Sequence, residues 1–284
     1  MTVFTQTINL GGTLLPYDRP LIMGILNLTR DSFYDGGKYL DLDKAEAHVH
    51  QMLSDGADII DLGAFSSRPG AELVPAAQQL AILEPFVKRI VASIPDIILS
   101  IDTFSAEVVK KLADITPFIV NDISGFSYDD LLVPTVADLG LPYILTHNTG
   151  TPKDMQSKAD YQDVVSSVLF QLSEKLHVLR SAGVKELVVD PGFGFGKLVD
   201  HNYQLLSKLE VFKILKCPVM VGLSRKSMIY KPLKTSANEA LNGTTALHMV
   251  ALMNGAQILR VHDVKEASET RILWMQLHSH VNKV

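Results

Sequence analysis

Eight short, near-continuously apolar runs alternate with longer stretches of helical periodicity, and each run gives way to polar or charged residues. That alternation predicts an α/β protein and, within that class, a TIM (β/α)8 barrel preceded by a short N-terminal extended segment or hairpin. Parallel strands covered by helices on both faces lose the inside-outside alternation of a half-exposed strand, which is the pattern seen here. A chain of 284 residues matches one such barrel. We expect one domain over residues 1–284, with 1–19 as the N-terminal extension.

The elements follow in order. Gly11, Gly12 and Pro16 mark a turn within the extension, which is placed to close the bottom of the barrel. The eight runs are Leu21–Leu26, Asp58–Leu62, Ile97–Ile101, Phe118–Asn121, Pro142–Thr146, Glu186–Asp190, Pro218–Leu223 and Gln257–Val261. Between them, Ala45, Val49, Met52 and Leu53 share one helical face, as do Val164, Val168, Leu172, Leu176 and Leu179. Leu241, Ala246, Met249, Val250 and Met253 read as a third buried face. Pro85 conflicts with the helical pattern of Gln78–Ile94 and should kink or split that helix.

Composition narrows the function classes. The net charge of −5 argues against a protein held on nucleic acid by phosphate contacts. Charged residues at 20% and hydrophobic residues at 47% are values of a folded globular chain. Cys217 is the one cysteine, so neither a disulfide framework nor a cysteine zinc site is expected. There is no apolar stretch of ~18 residues and no secretory start, which predicts a cytoplasmic protein with small-molecule partners, no membrane and no nucleic acid.

Chemistry in this fold sits at the C-terminal ends of the strands and in the loops that follow. The third, fourth and sixth runs end in Asp102, Asn121 and Asp190. A lone Asp after a strand is often a helix cap, but Ser105 can take that role and free Asp102. Together the three offer carboxylates and an amide to a flat heterocycle with an amino-pyrimidine edge, since a carboxylate accepts two parallel N–H bonds from such an edge. Arg260 and His262 lie two apart and share a face of the last strand. With Lys226, Asn27 and Arg68 they form an expected anion pocket after strands seven and eight, suited to a pyrophosphate with Mg²⁺ near Asn27. Gly192–Lys197 is glycine-rich but fails as a nucleotide motif, since Leu198 stands where a Walker A loop needs Ser or Thr. It reads instead as backbone that approaches a ligand, with Phe193 presenting a flat face. The long first and second loops carry Phe33, Asp35, Ser67, Arg68 and Pro69, and are expected to act as lids.

These stretches resemble the dihydropteroate synthase family. The likeness runs from about Met23 to Val264 and rests on eight ordered motifs: MGILNLTRDSFYDGG from Met23, GADIIDLGAFSSRPGA from Gly56, SIDT from Ser100, VNDISG from Val120, THNTGTPKDMQ from Thr146, DPGFGFGK from Asp190, GLSRKS from Gly222 and RVHDV from Arg260. The resemblance implies condensation of p-aminobenzoate with 6-hydroxymethyl-7,8-dihydropterin pyrophosphate, by dissociative displacement, giving 7,8-dihydropteroate and pyrophosphate. It implies that Asp102, Asn121, Asp190 and Lys226 hold the pterin. Asn27, Arg260 and His262 would hold the pyrophosphate and its Mg²⁺, with Arg68 close by. Phe33, Ser67, Pro69, Phe193, Lys226 and Ser227 would frame the p-aminobenzoate. Asp102 and Asp35 would stabilise positive charge on the pterin methylene. It also implies a homodimer and sensitivity to sulfonamides.

The chain departs from the family pattern at four places. Arg30 stands where a Pro is usual, Ala64 where a second Gly is usual, Ser67 for a common Thr, and Thr146 where a Met commonly precedes the His. Two other readings stay open on the residues. One is a pterin barrel that passes a methyl group from methyltetrahydrofolate to a corrinoid, which should lack the anion pocket. The other is a pterin-binding homologue without activity, which the departures at Arg30, Ala64 and Thr146 motivate.

Overall fold

The computed structural model describes residues 7–28, 38–64, 73–150 and 159–281. A hairpin comes first: β1 (Thr7–Leu10) pairs antiparallel with β2 (Thr13–Pro16) across Gly11 and Gly12. Both glycines have positive φ, +57° and +99°, as a tight two-residue hairpin turn requires. The barrel strands are β3 (Leu21–Asn27), β4 (Ile59–Gly63), β5 (Leu99–Asp102), β6 (Ile119–Asp122), β7 (Tyr143–Thr146), β8 (Leu187–Asp190), β9 (Met220–Val221) and β10 (Ile258–Val261). They pair in parallel in the order β8-β7-β6-β5-β4-β3-β10-β9. A parallel bridge between Val189 and Val219, with Val189 N donating to Pro218 O at 2.9 Å, joins the two ends. The result is the expected TIM barrel.

Helices α1 (Lys38–Ser54), α2 (Ala76–Ser93), α3 (Ala106–Ala113), α4 (Leu132–Leu139), α5 (Val164–Ser181), α6 (Val199–Ser207), α7 (Ser227–Tyr230), α8 (Leu241–Met253) and α9 (Val264–Val281) fill the intervals. The expected stripe of α5 is buried in full, and Asp163 caps that helix by accepting from Val165 N and Ser166 N. Ser105 caps α3, which leaves Asp102 free of that duty. Helix α2 runs unbroken through Pro85, so of the expected kink or split, the split does not occur. Helix α8 corrects the sequence reading. Its buried face is Thr244, His248, Ala251 and Leu252, whereas Val250 and Met253 are exposed. The helix is apolar on several sides, so hydrophobic spacing alone selects no face, and the polar residues Thr244 and His248 hide the right one.

The core has two layers. Met23, Ile59, Ile119, Ile144, Val188, Met220 and Ile258 fill the barrel interior, and Ile8, Leu10 and Leu15 of the hairpin pack against them from below. A larger shell lies between strands and helices. Beneath the barrel, Asp58 accepts from Arg271 Nη1 at 2.6 Å, from Arg19 Nη2 at 2.6 Å and from Ile22 N at 2.8 Å. This ties the approach to β3, the start of β4 and α9 together. Replacing Asp58 with alanine would leave Arg271, 8% exposed, without its counter-charge. We expect a loss of about 3 kcal/mol in denaturant-induced unfolding; an unchanged midpoint would show the three-way contact to be neutral. Among the described residues no helix is long and apolar enough to cross a membrane.

Candidate active site

Parallel register puts the functional side chains at one level. Asn27 pairs with Gly63, Gly63 with Asp102, and Asp102 with Asn121, while Thr146 pairs with Asp190 on the far wall. The centre of this ring is a residue that the sequence reading passed over. Asp61, in the middle of β4, is fully buried. It accepts from Arg260 Nε at 2.7 Å, from Ser100 Oγ at 2.7 Å and from Asn121 Nδ2 at 3.2 Å. Arg260 Nη2 also reaches Asp102 Oδ2 at 3.0 Å. A carboxylate inside the run Ile59-Ile60-Asp61-Leu62-Gly63 is costly to bury unless paired, and that cost was the available signal.

With Asp61 saturated, its neighbours keep unused acceptors. Asp102 Oδ1 and Asn121 Oδ1 are buried and have no hydrogen-bond partner. Burial pushes the Asp102 carboxyl up to about 7; Arg260 pulls it down, and Asp61 and Asp122 push it further up. The Asp190 carboxyl is likewise raised by burial, against the opposing pull of Lys226 and of the Gly192 N–H that Oδ1 accepts at 2.7 Å. Burial lowers the Lys226 ammonium to about 8, opposed by the charge of Asp190. Asp190, Lys226 and Arg260 converge on Gly222. A Cβ there would lie 3.8 Å from Asp190 Oδ2 and 3.9 Å from both Lys226 Nζ and Arg260 Cβ.

Lys226 is aimed by the glycine loop. Its Nζ donates to the carbonyl of Phe193 and sits 4.6 Å above the ring of Phe195. Phe193 itself is fully buried in the shell beneath the loop, so its ring does not face a ligand. The expectation for Phe193 is corrected: two residues on, Phe195 is the aromatic beside the lysine, and Phe193 contributes its carbonyl. The loop is held rigid from within. Lys197 Nζ donates to the carbonyls of Gly192 at 2.8 Å and Phe195 at 2.9 Å, and lies 2.9 Å from His147 Nδ1. Gly192 must stay glycine, since a Cβ would lie 2.0 Å from the carbonyl oxygen of His147. Lys197 is thus occupied by backbone and unavailable to a phosphate. Asp122, beside Asn121, is also structural: it accepts from Ser124 N, Phe126 N and the Tyr143 hydroxyl, fixing the loop after β6.

The other expected residues are placed as follows. His262 lies at the exposed rim after β10, with Nδ1 3.2 Å from Ser224 Oγ. Ser227 opens α7 directly after Lys226 and is half-buried. Arg225, between Ser224 and Lys226, makes a two-pronged pair with Asp263, both bonds at 2.8 Å, and so ties the loops after β9 and β10. Asn27 ends β3 on the exposed side of the mouth. Phe33, Asp35, Ser67, Arg68 and Pro69, with the lid role given to their loops, lie outside the described residues.

The chemistry of this arrangement is two-sided. Orphaned, buried acceptors on β5 and β6 suit a heterocycle that presents N–H groups. Lys226 and Arg260 on the β9–β10 side supply positive charge, and His262, whose imidazole burial lowers to about 4, supplies a neutral N–H donor for an anion.

Comparison with known proteins gives the same picture. The family described as pterin binding enzymes matches residues 23–262. The dihydropteroate synthase of Escherichia coli K12 is 41% identical over 286 aligned positions, covering 100% of this chain and 99% of that protein. The enzyme of Haemophilus influenzae is 41% identical over 90% of this chain and 93% of its own length. Among solved structures, Yersinia pestis dihydropteroate synthase in complex with a sulfonamide drug superposes with a TM-score of 0.90 at 38% identity, covering 96% of this chain and 100% of that one. The Xanthomonas albilineans enzyme in complex with 7,8-dihydropteroate gives a TM-score of 0.85 at 34% identity, covering 96% and 99%.

Proposed function

The chain belongs to the family of pterin binding enzymes, and from that membership we infer that it is a dihydropteroate synthase, a transferase that joins p-aminobenzoate to 6-hydroxymethyl-7,8-dihydropterin pyrophosphate. The observation that carries this reading is the pair of buried acceptors without partners, Asp102 Oδ1 and Asn121 Oδ1, facing Asp190 across a mouth whose other wall is cationic. In the reaction the amine nitrogen forms a bond to the pterin methylene carbon. The carbon–oxygen bond to pyrophosphate breaks, and the amine loses a proton. An arylamine is neutral at pH 7, so the chain has no need of a strong base; the demand is to stabilise the departing pyrophosphate. Arg260, His262 and Lys226 are placed for that, and Asp102 is placed to stabilise positive charge on the pterin. We propose a dissociative step on the same ground. Phe33, Asp35, Ser67, Arg68 and Pro69 are proposed to complete the p-aminobenzoate and pyrophosphate sites.

Mg²⁺ fits the donor set. Asn27 offers one neutral oxygen at the open side of the mouth, beside Gly63, which suits a small hard cation that keeps waters and takes its other ligands from phosphate. Bound there, the ion would offset charge on the leaving pyrophosphate. We further propose a cytoplasmic homodimer. The single buried cysteine supports a reducing compartment, and exposed apolar residues on α9, including Ile272 and Leu273, support a covered face.

The test is pyrophosphate release from the dihydropterin pyrophosphate, with and without p-aminobenzoate. We expect release that depends on p-aminobenzoate and on Mg²⁺ and is blocked by a sulfonamide. Pterin binding without release would restore the inactive-homologue reading. A methyl-transferring barrel would release no pyrophosphate, and the cationic wall already argues against it.

A further inference from the structure

Thr146 ends β7, is 1% exposed, and its hydroxyl has no hydrogen-bond partner. Its direction follows from the strand. Ile144, two residues earlier, belongs to the barrel interior together with Val188. Side chains two apart on a strand share a face, so Thr146 and its register partner Asp190 both point into the barrel. The neighbouring carboxylate accepts from Gly192 N through Oδ1 at 2.7 Å and not from this hydroxyl. Thr146 therefore presents an unused hydroxyl to the space that Asp190, Asn121 and Asp102 surround. A hydroxyl both donates and accepts, whereas the unused atoms of Asp102 and Asn121 only accept.

We infer that Thr146 is a specificity-determining residue of the pterin site, its hydroxyl hydrogen-bonding the edge of the bound heterocycle, by donation to a ring nitrogen or acceptance from an amino group. The inference rests on the reading that this site holds a pterin. An orphaned buried hydroxyl destabilises the empty protein and is satisfied when ligand arrives, so its removal acts in opposite directions on the two states. Valine is the same shape without the hydroxyl, and serine keeps the hydroxyl without the methyl group.

The test is titration of wild type, Thr146→Val and Thr146→Ser with 6-hydroxymethyl-7,8-dihydropterin pyrophosphate, together with thermal melts of the empty proteins. We expect Thr146→Val to bind about tenfold more weakly, while its ligand-free Tm rises by about 2 °C. Thr146→Ser should bind within about twofold of wild type. Unchanged binding by Thr146→Val overturns the inference, and so does a lower ligand-free Tm, which would mark the hydroxyl as a structural partner. A wild-type protein that binds no pterin overturns the underlying functional reading instead.

Discussion

Replacing Lys226 with alanine lowers p-aminobenzoate-dependent pyrophosphate release at least ~100-fold, with little change in the unfolding midpoint. The reasoning starts from where the ammonium sits. It is held by the Phe193 carbonyl over the Phe195 ring, facing the carboxylates of Asp190 and Asp102 on one side and the cationic loops on the other. A charge fixed in that position before the reaction stabilises a developing anion without reorganisation. The pH profile tests the same charges. The Asp102 carboxyl is raised to about 7 and must be ionised to stabilise positive charge on the pterin. The Lys226 ammonium is lowered to about 8 and must be protonated to stabilise the leaving group. Thus kcat/KM should rise as pH increases through about 7 and fall above about 8, the two limbs belonging to the coupled cluster rather than to isolated groups. Lys226→Arg should keep a reduced rate and lose the alkaline limb, since a guanidinium stays charged. A near-normal rate for Lys226→Ala, or an alkaline limb that persists in Lys226→Arg, would remove the lysine from this role.

Much of this architecture is legible in the amino-acid order. The run Leu21–Leu26 and the strand Leu21–Asn27 differ by one residue, and Asp102, Asn121 and Asp190 all fall at strand ends as expected. Apolar continuity encodes burial on both faces, and the polar residue that stops each run marks the barrel mouth. What the order does not encode is which groups meet across the barrel. The sequence places Arg260 beside an anion pocket but does not reveal its second contact: the guanidinium also lies between Asp61 and Asp102, in strands 199 and 158 positions away. Phe193 and Phe195 are equivalent by sequence and both are buried, but Phe193 packs in the strand–helix shell whereas Phe195 lies beneath Lys226, with Gly194 between them at a φ of +83°. In α8 the buried face carries Thr244, whose hydroxyl oxygen accepts from Arg225 N, so a polar contact sets the orientation that hydrophobic spacing misread.

Asp61 is where this tertiary pairing has its largest consequence. Asp61→Asn keeps the shape of the side chain and removes the charge that Arg260 meets at 2.6 Å. The guanidinium would be left to Asp102 alone, deep in the barrel. We expect a loss of about 3 kcal/mol in unfolding free energy and a fall in turnover of at least ~100-fold as Arg260 and Asp102 move. The direction of a second effect is fixed by the same electrostatics. Asp61 raises the Asp102 carboxyl, so its neutralisation lets Asp102 ionise at lower pH, and the acid limb of kcat/KM should shift downward. Adding Arg260→Met tests the contact that remains. Asp102, buried and 3.0 Å from Arg260 Nη2, then loses its counter-charge, so the double variant should unfold with lower free energy than Asp61→Asn. Its turnover should stay low, because the donor to the pyrophosphate is gone. A double variant as stable as Asp61→Asn would show that the Arg260–Asp102 contact does not govern this layer of the barrel. A double variant with restored turnover would show that Arg260 serves the fold and not the reaction.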